Sequence, residues 1–165
     1  MLDLSTATAT LRTGYAYWQA KCAGRPMPVR ADLQPPEMLP FLGHILLLDV
    51  LNGPRDFRYR LIGTAVDSHM NGRYTGLLAS SLPHQREGNQ MWRNFCHVAD
   101  TGQPVFSHVS YVGKHKDFMA AQDLIMPLGT GGMASGAMGT AEAGVAMLFV
   151  VVDFALKSPS RRLFD

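Results

Sequence analysis

The run Phe57-Arg-Tyr-Arg-Leu-Ile-Gly-Thr64 decides the fold. Apolar and basic residues alternate along it, and a period of two is typical of a β-strand with two unlike faces. The alternation predicts Phe57, Tyr59 and Leu61 on one face and the two arginines on the other. A strand with one apolar and one charged face suits the edge of a sheet, where the charged side meets water.

The segments around this run predict the remaining elements. Asn52-Gly53 is a strong turn signal just before it, and an apolar strand precedes that turn, so the two strands form a hairpin. Short helical turns follow at Thr64–Gly72, and apolar residues at helical spacing then predict a longer helix that Gly102 ends. The predicted strands are His44–Val50, Phe57–Gly63, Pro104–Tyr111, Ala120–Leu128 and Val145–Phe154, and the longer helix is Arg86–Asp100.

The strands differ in a way that predicts their places in the sheet. Ile45–Leu48 and Val145–Val152 are apolar on both faces, which is typical of central strands that are covered on each side. The Phe57 and Pro104 strands carry polar residues at alternate positions and suit the edges. We therefore expect an α+β fold whose five-stranded antiparallel sheet has its first and last strands side by side in the middle.

The N-terminal segment predicts a helix from about Thr10 to Gly24. Leu4, Leu11 and Trp18 are seven residues apart, and Tyr15 and Cys22 extend the same apolar seam. Two interpretations stay open for this helix. It could be an amphipathic helix that lies on its own domain, or a dimerisation helix that uses Leu11, Tyr15 and Trp18.

Composition bounds the class of protein. The chain has 165 residues, 47% of them hydrophobic and 17% charged, with a net charge of +2, so one globular domain is expected. The basic residues are scattered, which argues against nucleic-acid binding. We assign residues 1–10 to a flexible N-terminus, residues 11–156 to the domain and residues 157–165 to a polar tail.

No targeting segment is expected. The first ten residues lack the basic and apolar parts of a signal peptide, and the longest apolar run, Val145–Val152, is too short to cross a bilayer. Cys22 and Cys96 form neither a zinc motif nor a disulfide framework. The sequence predicts a cytoplasmic protein without membrane contact.

No pattern in the sequence spells out a reaction. The six histidines never stand at metal-ligand spacing on one helix, so no metal site is predicted. Gly131 and Gly136 have the first spacing of a phosphate loop, but Ala137-Met138 stand where Lys and Ser or Thr are needed. We interpret Gly129–Gly144 as a flexible hairpin loop, and we name no catalytic residue.

Candidate ligand contacts come from the apolar and aromatic positions and from one arginine. Methionine-rich linings adapt to varied ligands, although such residues are most often simply core. Arg60 has two interpretations. In the first, it forms a salt bridge to Asp49 or Asp67 or stacks on Trp18. In the second, it binds an anionic ligand or holds the N-terminal helix in a signalling position. The candidates are Tyr59, Arg60, Met91, Trp92, Phe95, Met126 and Met147.

The element order and a set of local motifs make residues 11–128 resemble the stand-alone bacterial PAS-domain family, first described as a domain of unknown function. The order is hairpin, short helices, one longer helix and a three-stranded meander. The motifs are Trp18, Gly24-Arg-Pro-Met-Pro28, Arg30-Ala-Asp32, Leu39-Pro-Phe-Leu42, Tyr59-Arg-Leu-Ile-Gly-Thr64 and Thr75-Gly76. Two departures are Met27, where the family has leucine, and the long Gly129–Gly144 stretch.

The resemblance implies a sensory or regulatory domain without catalysis. It would hold a small molecule between the sheet and the helices, or bind a protein partner, and would signal through that partner or as a homodimer. It does not name a cofactor. Two alternatives remain: a small cone-shaped α+β enzyme such as an isomerase or dehydratase, with an ionisable group deep in its pocket, and a ligand-free adaptor.

Overall fold

A computed structural model describes residues 1–110, 118–131 and 144–156. The predicted polar tail at residues 157–165 lies outside the described residues, and so does most of the predicted Gly129–Gly144 loop. Among the described residues, no helix combines the length and the apolar character that crossing a bilayer requires.

Three α-helices are described: α1 (Ala9–Cys22), α2 (Thr64–Asp67) and α3 (Gln90–Thr101). The hydroxyl of Thr8 caps α1 by accepting a hydrogen bond from the Leu11 amide, and Ala23 ends the helix in the left-handed conformation. α3 starts later than the predicted Arg86, because Gly88 has a φ of 94° and Asn89 is extended. Short 3-10 turns lie at Arg30–Asp32, Pro35–Met38, Leu42–His44 and Ala79–Ser81.

The five predicted strands are present as β1 (Ile45–Asn52), β2 (Arg55–Ile62), β3 (Val105–Ser110), β4 (Phe118–Gly129) and β5 (Val145–Leu156). They form one antiparallel sheet in the order β2-β1-β5-β4-β3. The prediction that the first and last strands lie together in the middle is confirmed, and so are the two edge strands. Strands that are apolar on both sides need cover on both faces, and α1 covers one face while α2 and α3 cover the other.

A β-bulge corrects the predicted face of Leu61. Leu48 pairs with Tyr59 but Leu47 pairs with Leu61, so Arg60 is an extra residue in β2. Phe57 and Tyr59 point to one side of the sheet as predicted. Leu61, one position past the bulge, packs on the opposite side with Leu47. Strict alternation fails here because the extra residue reverses the order of faces.

One face of the sheet is covered by α1 and the chain that follows it. Leu11 is fully buried on this face, and the indole N–H of Trp18 donates a hydrogen bond to the carbonyl of Pro127 over 2.9 Å. α1 can approach closely because residue 14 is glycine: a Cβ there would lie 2.7 Å from Val151 Cγ2. The sheet residues of this α1 face are Ile45, Leu47, Leu124, Met126, Leu128, Phe149 and Val151.

The segment before α1 also contacts the sheet. Gln122 on β4 accepts a hydrogen bond from the Thr8 amide and donates one to the carbonyl of Thr6, both over 2.9 Å, and Ala7 is buried. The flexible N-terminus over residues 1–10 stays a prediction, but residues 6–8 make defined contacts to the sheet.

The opposite face is covered by α2, α3 and the chain between them. Phe57 packs against Phe95 of α3, with ring centroids 5.1 Å apart, and Val98 is fully buried beside them. The sheet residues of this α3 face include Leu46, Leu48, Tyr59, Ala121, Ile125, Leu148 and Val150. Of the two positions left open for the N-terminal helix, the one on its own domain is observed within this chain, on the sheet face opposite α2 and α3.

Candidate functional site

A cavity of about 450 Å³ lies between the α3 face of the sheet and the chain from α2 to α3. Its floor is made of sheet residues such as Leu46, Ala121 and Val150, and its cover comes from residues such as Met70 and Met91. Most of its lining is apolar or aromatic, and a few polar side chains are placed among them. Ligand sites of proteins commonly have this size and this mixture.

Asp123 is the most unusual residue of this cavity. It lies on β4, lines the cavity and is fully buried. Its Oδ1 accepts a hydrogen bond from the hydroxyl of Ser107, which faces it across the β3–β4 pair. Its Oδ2 is buried and has no hydrogen-bond partner. Burial raises the pKa of the Asp123 carboxyl from 3.8 to about 6, and the Ser107 hydrogen bond opposes that shift.

A chain of side chains leads from the surface of α3 to this carboxyl group. The Arg93 guanidinium donates to Gln90 Oε1 over 2.9 Å, and Gln90 Nε2 donates to Asn94 Oδ1 over 2.7 Å. Asn94 Nδ2 donates to Ser107 Oγ over 3.1 Å, and Ser107 donates to Asp123. Every bond points the same way, so Asp123 is the final acceptor. Aligned hydrogen bonds polarise one another and strengthen that acceptor role.

Tyr59 supplies a second polar group to the cavity from β2. Its ring is buried and its hydroxyl donates a hydrogen bond to Gln85 Oε1 on the cover. Burial raises the pKa of the Tyr59 hydroxyl, and the Gln85 bond opposes this. The nearby hydroxyl of Tyr74 and the carboxyl of Asp123 add to this rise in the pKa of Tyr59.

A family model described as a PAS domain matches residues 6–141. The chain belongs to the PAS domain family. The match covers most of the chain and confirms the resemblance found in its motifs. No curated protein shows significant similarity to it. Family membership indicates a sensory or regulatory role, and PAS domains are generally non-catalytic modules.

One family motif has a structural explanation in this PAS domain. The carboxylate of Asp32 accepts hydrogen bonds from the Val29 amide over 2.8 Å and from the Arg25 guanidinium over 2.7 Å. These bonds, the amide first, lower the pKa of Asp32. They fix the turn at Arg30–Asp32, and the neighbouring Pro28 carbonyl then accepts from the Gly129 amide at the end of β4. The motif thus joins the N-terminal segment to the sheet.

The PAS cavity brings together three of the predicted ligand contacts: Tyr59, Met91 and Phe95. Trp92 lies next to this group but packs edge-on against Phe57, with ring centroids 5.4 Å apart, and does not line the cavity. Met126 and Met147 belong to the α1 face, on the other side of the sheet. Both faces of the central strands are apolar, so hydrophobicity alone did not tell which face each methionine occupies.

Arg60 lies away from the cavity. Its Nε and Nη2 both donate to Asp49 Oδ2, over 3.0 and 2.7 Å, and its side chain is 63% exposed. The predicted salt bridge to Asp49 is confirmed. Trp18, the alternative partner predicted for Arg60, instead stacks with Tyr15 and donates a hydrogen bond to the carbonyl of Pro127.

The three residues predicted for a dimer interface lie on α1. Leu11 and Trp18 are buried against the sheet of their own chain, whereas Tyr15 is half-buried and stacks on Trp18 with ring centroids 6.0 Å apart. The amphipathic helix on its own domain is therefore the arrangement observed within one chain.

The polar residues of the site were missed in the sequence: Gln85, Gln90, Asn94, Ser107 and Asp123. A signal for Asp123 did exist. It is an acidic residue between Ala121 and Ile125 at alternate positions of an otherwise apolar strand, so alternation puts it on a buried face. A carboxylate on a buried strand face is costly unless it is paired or functional. The amides on α3 carried no such signal, since they resemble ordinary helix-surface residues.

Metal and thiol chemistry find no support in the described residues. No three His, Cys, Asp or Glu side chains come together there in a way that could hold a metal ion. Burial raises the pKa of both Cys22 and Cys96, so the thiols stay protonated and weakly nucleophilic.

Proposed function

We propose that this PAS domain is a sensory or regulatory module that binds a small molecule in the cavity between the sheet and α3. The observation that carries the proposal is the cavity of about 450 Å³, whose lining is mainly apolar yet includes Asp123, a residue with one buried carboxyl oxygen that has no hydrogen-bond partner. A core that served only packing would gain stability by filling this space with side chains. An unfilled cavity with one unsatisfied polar atom suits a guest molecule.

The residues proposed to contact the ligand are Tyr59, Met91 and Phe95, with Asp123 as the polar contact. Phe95 and Tyr59 supply rigid aromatic walls, and Met91 supplies a flexible one that adjusts to the shape of the guest. The cover between α2 and α3 contributes two more adaptable residues, Met70 and Gln85. We propose that the ligand orders this cover and that a cytoplasmic partner, or a second copy of the chain, detects the change.

The first experiment is native mass spectrometry of the purified protein, followed by a thermal-shift screen of metabolites. A ligand at about 100 times its Kd should stabilise the fold by about 2.7 kcal/mol. A variant that fills the cavity, Ala121→Leu, should fold and lose this response. Ala120→Leu is the matched control, because it adds the same side chain to the next position of β4, outside the cavity lining.

A wild-type protein that carries no ligand and responds to no compound would favour the adaptor function instead. A response that Ala121→Leu leaves intact would place the ligand outside this cavity and contradict the proposal.

A second candidate function rests on Asp123 itself. A buried carboxyl with a pKa of about 6 is suited to exchange protons with a substrate near neutral pH. Its hydrogen-bond partner, however, is the hydroxyl of Ser107, and PAS domains are generally non-catalytic. The enzyme function requires that a compound found by the screen is converted by wild-type protein and not by Asp123→Asn. Binding without conversion would rule it out for that compound.

A further inference from the structure

We propose that the cavity selects ligands that carry a primary amine, and that Asp123 Oδ2 accepts a hydrogen bond from the ligand's ammonium group. This inference rests on the proposed function, because it names the chemical class of ligand for the same cavity.

The first argument is the unequal state of the two carboxyl oxygens. Oδ1 has Ser107, whereas Oδ2 is buried without a donor. A buried acceptor that lost its water and gained no partner costs about 1–3 kcal/mol, and more if it is charged. A ligand that brings a donor to Oδ2 recovers that free energy on binding. A ligand without a donor leaves the cost in place.

The second argument is the direction of the hydrogen bonds behind Asp123. Asn94 donates to Ser107, so the single hydroxyl proton of Ser107 is directed to Asp123 Oδ1. The carboxyl group therefore acts as an acceptor toward the protein, which favours its ionised form. An ionised carboxylate takes donors at both oxygens and rejects a second acceptor. Alcohols offer one weak donor, and carboxylates offer a repelling charge.

The third argument is charge. The described residues that line the cavity include neither lysine nor arginine, and Asp123 is the acidic residue among them. Histidines 69, 84 and 108 also line it, and no hydrogen bond joins any of them to Asp123 Oδ2. A charge-assisted bond to an ammonium group is roughly twice as strong as a neutral one. The cavity lining thus lacks a permanently charged cationic donor for Asp123 Oδ2, and a ligand's ammonium group would supply one.

The fourth argument concerns the rest of the ligand. The walls of the cavity are mostly aromatic and apolar, and they include Tyr59, Tyr74 and Phe95. Aromatic faces attract cations in addition to apolar groups. A ligand with one ammonium group on an aromatic or aliphatic body satisfies both parts of the cavity, whereas a polyhydroxylated molecule would leave most of its own polar groups unpaired.

The test compares matched compounds by isothermal titration calorimetry at about pH 7.5, where aliphatic amines are protonated. One set is 2-phenylethylamine, 2-phenylethanol and 3-phenylpropionate, and the other is hexylamine, hexanol and hexanoate. In each set we expect the amine to bind at least about tenfold more tightly than the alcohol, and the carboxylate to bind weakest. Asp123→Asn should reduce amine affinity by about tenfold or more and change alcohol affinity by less than about threefold.

Four other outcomes would contradict this inference, and the last of them would also contradict the proposed function. Equal or tighter binding of an alcohol or a carboxylate to wild-type protein overturns the amine preference, even if Asp123→Asn does not fold. Undiminished amine binding by a folded Asp123→Asn, or by Ala121→Leu, overturns it as well. If other compounds of a wider screen bind in the cavity but no amine does, the inference fails and the sensor function stands. If nothing binds, both fail.

Discussion

At the scale of single residues, two carboxylates of the central sheet illustrate how environment decides role. Asp49 on β1 meets Arg60 at the surface, so water solvates much of the pair. Asp123 on β4 is fully buried with one unsatisfied oxygen. A surface ion pair contributes little to stability, whereas a buried charge without a full set of partners is costly. Asp49 is therefore expected to matter little for stability, whereas Asp123 lowers the stability of the fold by its burial.

The buried acid should make stability depend on pH. Since burial raises the pKa of Asp123 from 3.8 to about 6, the folded chain holds a proton that the unfolded chain has released. The free energy of unfolding should therefore fall as pH rises from about 4 to about 6, by about 1–3 kcal/mol, and level off above that. Asp123→Asn should lack this component. Urea denaturation of both proteins across the range measures it.

The difference between wild type and Asp123→Asn isolates the contribution of the Asp123 carboxyl to stability. Asp3, Asp32 and Glu37 have lowered pKa values, which act in the opposite direction, but they are common to both proteins and cancel in the difference. Parallel curves for wild type and Asp123→Asn would show that Asp123 does not titrate in this window.

Arg60 should contribute little to stability. Its partner Asp49 is close, but the arginine side chain is mostly exposed, so we expect Arg60→Ala to change the free energy of unfolding by less than about 1 kcal/mol. Thermal and urea denaturation at low and high salt measure this. A loss of several kcal/mol would mean that the bulge in β2 depends on the arginine.

At the scale of elements, the position of α1 on the sheet depends on a glycine. Glycine inside a helix costs about 1 kcal/mol relative to alanine, so an alanine at position 14 would favour the isolated helix. Its Cβ, however, would lie 2.7 Å from Val151 Cγ2 and within 3.5 Å of two further atoms of the same stiff side chain. Close contact with β5 outweighs helix propensity here.

We therefore expect Gly14→Ala to destabilise the fold by about 1–3 kcal/mol, the usual cost of overpacking a core. Thr13→Ala is the control: it lies one residue away on the exposed side of α1, and it should leave stability unchanged or raise it slightly. The melting temperatures of the two variants, compared with wild type, measure this loss of stability. A more stable Gly14→Ala would mean that α1 can move away from the sheet without loss.

At the scale of the whole molecule, the sheet divides the protein into two unlike halves. In the α1 half, the described side chains pack into one buried cluster, whereas the α3 half contains the cavity and a cover made largely of short turns. Segments with few buried contacts open at lower free energy than core strands. The two halves should therefore differ in how readily their backbone exchanges with solvent.

Hydrogen exchange measures this difference. We expect the slowest amides in β1 and β5, which have strand neighbours on both sides, and faster exchange in the segment from Gly63 to Asn89. A cavity ligand should slow exchange in that segment and in α3 more than in α1. Protection confined to α1 would indicate a different binding site.

Much of this architecture could be predicted from the sequence because the central strands are apolar on both faces and the edge strands are not. The same property explains why the sequence did not predict which face of the sheet Met126 and Met147 occupy. When both sides of a strand are covered, an apolar residue is equally suited to either side. The cavity itself could not be predicted, since it arises where the cover residues and the sheet fail to fill the space between them.

The extra residue in β2 has a consequence for chain length. Leu48 pairs with Tyr59 and Leu47 pairs with Leu61, so β2 has one residue more than the segment of β1 with which it pairs. A homologous chain without a residue at position 60 would keep both pairings and every later side chain on its present face. A deletion at any regular position of the strand would instead turn the following residues over. Position 60 is thus where this hairpin can lose one residue without rearranging its core.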